Sequence, residues 1–296
     1  MKLIDRVHHR YRFELPSGLQ VIEATNVADY VLEKEKREHL GSWDYATEFP
    51  NVAPPFKDFW VEFRIMAGKP ERPVNVGWLV SSFDADPIEH PGARWIMGMR
   101  LVVEVPNHSP EMFGVCRYRM IGPNGEIMAA TSDLQRTEDE DVEGQEVGDA
   151  IRQGRATGWY TVASREEVAR LWGDWPAMVR YYRTAAIPLF AAICFMNCRN
   201  VKLVEHGPPK SWGEKRRRSF GIRFHTIEIS PIRKVLDSAM AATSCGIHQA
   251  LHICRGHFKD YRESGLFGKY KGIFWWDQVV RGHVEEGVSL HDYRIQ

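Results

Sequence analysis

The apolar and polar positions divide the chain into a first part that reads as strands and a second that opens with helices and returns to strands. Arg12–Pro16 and Leu19–Glu23, separated by Ser17-Gly18, read as strand, turn and strand. Tyr30–Leu40 carries a mixed-charge helical pattern closed by Gly41. Phe59–Ile65 alternates weakly as a strand, and Val76–Ser81, Met99–Val105 and Val115–Ile121 follow in the same style. Pro123-Asn-Gly125 marks a turn from which Glu126–Ala130 returns. A loop follows over 131–157, strongly acidic from Glu138 to Glu146 and without aromatics there, which predicts a solvated surface segment.

Ser164-Arg-Glu-Glu167 is a capping box that starts a short helix ending near Trp172. Pro176 suits the first turn of a second helix, which runs to Asn197 and is apolar nearly all round, as in a buried helix. Pro188 predicts a kink or a split in it. Strands are expected at Val201–Glu205, Arg223–Ile229, Ile247–Ile253 and Lys271–Trp276. The pattern predicts an α+β fold, a mainly antiparallel sheet packed on a central helical region over 164–197. A β-rich half, 1–155, precedes a helical and basic, aromatic β half, 156–296, with one continuous domain left open.

Composition changes this picture little. The 296 residues are 44% hydrophobic and 26% charged, ordinary for a globular chain with a substantial core. Net charge is zero, so any grip on a polyanion must come from a local patch. The five cysteines follow no disulfide spacing, and reduced thiols in a cytoplasmic compartment are expected. Cys194 and Cys198, four apart at the end of the second helix, read as core thiols. The N-terminus lacks the apolar stretch of a signal peptide. The longest apolar run, Ala185–Met196, is too short to span a bilayer, so no membrane partner is expected.

Residues with chemical potential crowd between Cys245 and His283. Cys245, His248, His252, Cys254 and His257 are zinc-type ligands, but their spacing suits neither one strand face nor one helix face, so no metal or other cofactor is favoured. Arg255, Lys259, Lys269, Lys271 and Arg281 add cations, interleaved with Tyr261, Phe267, Tyr270, Phe274, Trp275 and Trp276. Basic side chains neutralise phosphate and aromatic faces stack on bases. A metal-independent ribonuclease needs a base, an acid and a cation on the phosphorane; His252, His257 and Arg255 are the candidates. The run Lys215, Arg216, Arg217, Arg218 is a second phosphate patch. Gly265-Leu-Phe-Gly268-Lys269 is not a Walker loop and reads as a tight turn with glycines at positive φ. No nucleophile elbow, His-Glu-x-x-His or dinucleotide fingerprint occurs, which disfavours those enzyme classes.

Leu251-His-Ile-Cys-Arg-Gly-His-Phe258, Gly265-Leu-Phe-Gly-Lys-Tyr-Lys-Gly272, Phe274-Trp-Trp276 and Arg281-Gly282 together resemble a C-terminal signature of uncharacterised phage and prophage proteins. Asn197–Val201 and Glu205–Pro209, followed by the basic run, are similar to the same group, so the resemblance covers residues 197–282. It implies a phage-type setting, hence the cytosol of a host, and carries no agreed activity. The group has a His two places before the Arg-Gly pair, where this chain has Val279; His283 follows the pair. If that His is catalytic in the group, the departure implies a binding relative rather than an enzyme. Three functions stay open: contact with RNA or another nucleic acid, including ribonuclease action; a non-catalytic interaction or regulatory protein docking a host or phage protein; and a zinc-stabilised module.

Overall fold

The computed structural model describes residues 2–11, 15–16, 18–38, 49–67, 72–88, 90–104, 111–128, 175–207, 223–229, 250–254, 256–276, 279–281 and 283–288. The expected capping-box helix, the acidic loop and the first expected strand beyond Leu15-Pro16 fall outside them. The chain forms two compact units: residues 1–197 with 203–227, and residues 198–202 with 228–296. The long helix before residue 197 lies in the first unit.

The first unit is an α+β arrangement around a seven-stranded mixed sheet. In chain order its elements are α1 (Leu3–Tyr11), β1 (Gln20–Glu23), α2 (Thr25–Glu38), β2 (Asp58–Ala67), β3 (Arg72–Asp84), β4 (Trp95–Glu104), β5 (Glu111–Ile121), α3 (Trp175–Met196), β6 (Val201–His206) and β7 (Phe224–Ile229). The sheet order is β5-β4-β3-β2-β1-β7-β6. Strands β2 to β5 form an antiparallel meander, while β1 pairs parallel with both β2 and β7. Parallel pairing needs a crossover, and α2 supplies the one between β1 and β2.

Alternation explains the two apolar faces. Phe59, Val61 and Phe63 of β2 and Val76, Trp78 and Val80 of β3 are buried on one face, where the Trp78 indole N–H donates to the Ala185 carbonyl of α3 at 2.9 Å. Trp60, Val21 and Val102 are buried on the other, under Leu3, Ile4 and Val7 of α1. Burial on both faces places apolar residues at successive positions Phe59, Trp60 and Val61 of β2, which is why Phe59–Ile65 alternates so weakly. Pro188 does not split α3; the helix is continuous, and Ala185–Phe195 are buried throughout, so packing holds the turn that lacks a proline N–H. Cys194 and Cys198 are both buried. Among the described residues no helix is long and apolar enough to cross a membrane.

A carboxylate sits where α1 meets the sheet. Glu62 is 6% exposed, and its Oε2 accepts the Trp60 indole N–H at 2.9 Å and the Ile4 amide N–H at 3.2 Å. Lys2 Nζ lies 3.8 Å from Oε1 and 3.8 Å over the Phe224 ring. Glu62 therefore satisfies amide donors at the start of α1 from a neighbouring strand rather than from its own cap. Burial is the largest influence on it and pushes its pKa above the ordinary 4.5; the Trp60 N–H, the Lys2 charge and the Ile4 and Leu3 amides pull downward without prevailing. The Trp60 ring lies across Gly77, the β3 residue paired with Glu62. Farther along the same face, Arg6 of α1 pairs with Glu104, which also accepts from Asn75 at 2.7 Å.

The second unit holds β8 (Ala250–Cys254), β9 (His257–Asp260), β10 (Ile273–Trp276), β11 (Val279–Arg281) and β12 (His283–Val288). β9 and β10 pair antiparallel, β8 pairs antiparallel with β11, and β12 pairs parallel with β8.

Candidate nucleic-acid interface

The two antiparallel pairings share one register. Asp260 faces Ile273 and His257 faces Trp276; farther down, Cys254 faces Val279 and His252 faces Arg281. Within each pairing the register does not slip, and β9 and β10 are the two arms of one hairpin. The sequence pattern missed β9, because His257-Phe-Lys-Asp260 has a single apolar residue and its strand character comes from its partner.

Alternation gives the β9–β10 ladder two faces. On one, Trp275 is 4% exposed and meets Phe258 edge-on at 4.7 Å. Trp275, expected to stack on bases, is thus a packing residue whose ring is held inside. On the other, Lys259 Nζ lies 4.5 Å from the centre of the Trp276 ring, and His257, opposite Trp276, is exposed. This cation–π pair holds an ammonium beside an aromatic plane.

The outer edge of β10 is covered by the segment Cys198–Asn200. Arg199 N–H donates to the Ile273 carbonyl at 2.9 Å. The Asn200 side-chain amide bonds both main-chain groups of Trp275: Nδ2 donates to the carbonyl and Oδ1 accepts the N–H, each at 2.9 Å. One side chain thereby imitates a neighbouring strand and blunts the edge. Gly272, at a φ of 139°, passes under the Arg199 stem, where a Cβ would come within 2.6 Å of Cγ. Asn200→Ala is expected to lower stability by about 1–3 kcal/mol and to speed exchange of the Trp275 amide. Asn200→Asp should do no better, since its second oxygen would oppose the Trp275 carbonyl. A Trp275 amide exchanging at the wild-type rate in both variants would remove this role.

Gly265 and Gly268 adopt φ of 70° and 68°, the positive values expected of the turn. Its amide donors are consumed internally: Gly265 N–H to Tyr261, Leu266 N–H to Tyr270, Gly268 N–H to Gly265, and Lys269 and Tyr270 N–H to Leu266. Those five donors are not available to an anion. Asp260 is engaged by Arg262 through Nε and Nη2 at 2.6–3.0 Å, and that guanidinium holds its carboxyl below the ordinary range. Among the described residues no carboxylate pairs with Lys259, Lys269 or Lys271, and Lys269 and Lys271 are exposed.

No family model, curated protein or solved structure matches the chain. The site therefore rests on its own geometry. That geometry unites His257, Lys259, Lys269, Lys271 and Trp276 on one hairpin, with Lys259 beside the Trp276 ring. For His252, Cys254 and Arg281 the register alone is described, and it sets His252 against Arg281. Arg255, Cys245, His248 and Lys215, Arg216, Arg217 and Arg218 lie outside the described residues. Among the described residues no three His, Cys, Asp or Glu side chains gather to hold a metal ion. His252 lies in the β8–β11 pairing and His257 in the β9–β10 pairing.

Proposed function

We propose that the C-terminal hairpin of this chain binds nucleic acid, RNA foremost, without cleaving it. The observation that carries this reading is that Lys259, Lys269 and Lys271, with no carboxylate partner among the described residues, share one hairpin with exposed or half-buried aromatic rings. Phosphate contacts supply affinity and ring contacts accept any base. Binding is favoured over cleavage because His252 and His257, the candidate base and acid, lie in different strand pairings. A Trp-rich docking face for a protein partner is less favoured, since Trp60, Trp78 and Trp275 are all buried.

The test is a salt titration of the whole chain against labelled RNA. Wild type should bind with a log–log salt dependence, and the Lys269→Ala/Lys271→Ala double variant should reduce the slope by about one per lysine. An unchanged slope, or no binding at low salt, would sink the reading; RNA shortened by wild type but not by His257→Ala would restore catalysis.

A further inference from the structure

The tip of the hairpin holds a backbone conformation that its residue does not favour. Phe267 has a φ of 54°, alone in this among the non-glycine described residues. A left-handed backbone crowds Cβ against the following carbonyl, and bulky residues seldom adopt it. Glycine fills the neighbouring positions of that sign, Gly265 and Gly268, yet a phenylalanine is kept between them. Its ring gains little burial in return, being 57% exposed, and Tyr270 is 56% exposed. Lys269 stands between these two rings in the sequence and Lys271 after them, and no acidic residue occurs between Glu263 and Asp277. Leu266, the aliphatic side chain of the turn, is turned inward at 6% exposure. What the tip offers outward is rings and ammonium groups.

We infer that the Phe267–Lys271 tip selects single strands, with the Phe267 and Tyr270 rings stacking on unpaired bases and Lys269 and Lys271 on the flanking phosphates. This rests on the nucleic-acid reading and sharpens it to a substrate class. Strain at a position that adds little packing points to a use for the ring outside the fold. A ring can lie on a base face only where the base is unstacked, and a duplex hides those faces between neighbouring pairs. Ammonium groups serve either form, so the rings alone make the distinction. An anionic bilayer would draw on the same rings and ammonium groups, so anionic vesicles form a separate arm of the test.

The experiment uses the full chain with a labelled single-stranded oligouridylate of about twelve nucleotides, a length within the reach of one small binding surface. A duplex RNA of the same length and anionic phospholipid vesicles are the other probes. Wild type should prefer the single strand by about tenfold or more, Phe267→Gly should lose about tenfold on it with duplex binding unchanged, and Phe267→Tyr should retain it. The melting temperature of Phe267→Gly should equal or exceed that of wild type, since glycine relieves the left-handed backbone. Should it fall instead, Tyr270→Ala, which leaves the main-chain bridge to Leu266 in place, is read with the same expected loss. Equal binding of single strand and duplex that still depends on Lys269 and Lys271 would overturn the selectivity and keep the nucleic-acid reading. Binding of neither would overturn both, and capture by vesicles that depends on Phe267 would replace the nucleic acid with a lipid surface.

Discussion

Gly77→Ala is expected to lower the stability of the chain by about 3 kcal/mol or more, although alanine in a strand interior is ordinarily the better residue by about 0.5–1 kcal/mol. The φ of Gly77 lies outside the left-handed region, so nothing in its backbone demands glycine. The demand comes from Trp60: a Cβ at position 77 would overlap its six-membered ring, 2.6 Å from Cη2 and nearer still to Cζ2. Trp60 is fully buried beneath α1 and cannot step aside without breaking its bond to Glu62. Chemical denaturation of Gly77→Ala, Trp60→Leu and the double variant measures this directly. Trp60→Leu removes the obstructing ring, so the alanine should cost less than half as much in that background. Additive costs would show that the contact is not what fixes the glycine.

Glu62→Ala should cost about 3 kcal/mol, because it strands two buried donors, the Trp60 indole and the Ile4 amide, at about 1–3 kcal/mol each. The same residue gives the fold a pH dependence. A carboxyl whose folded pKa lies above its unfolded one takes up protons on folding, so its contribution is fully present below the ordinary carboxylate range. That contribution is lost as pH rises through the folded pKa. The urea midpoint of wild type should therefore fall across that window, and Glu62→Gln, which cannot ionise, should remove this part of the slope. A Glu62→Gln protein with the wild-type slope would assign the pH dependence to other groups.

The legible part of the fold was the part written in local pattern. Phe59–Ile65 and Met99–Val105 announced β2 and β4, and the buried run after Pro176 announced α3. The helix α1 was illegible because it carries only Leu3, Ile4 and Val7 as its buried apolar positions among charged and histidine residues. The parallel pairing of β1 with β2 and β7 depends on chain crossover, which no alternation encodes. At the hairpin, sequence singled out His257, Lys269, Lys271 and Trp276 by residue type, but could not separate Trp276 from the packed Trp275. Adjacent residues on a strand take opposite faces, and which face is covered is decided by Phe258 across the ladder. Asn200 was hidden for another reason: an asparagine that imitates a strand leaves no periodic trace.

The unslipped register of the hairpin limits how such an arm can change in length. Removing one residue from one arm would turn every position beyond it in that arm to the opposite side, out of step with the faces of its partner. Growth or trimming is tolerated only in matched steps, two residues in each arm, moving the tip by about 6.6 Å. The reach of the Phe267–Lys271 tip is therefore quantised: relatives of this hairpin should differ in length by multiples of four residues, with the tip carried unchanged.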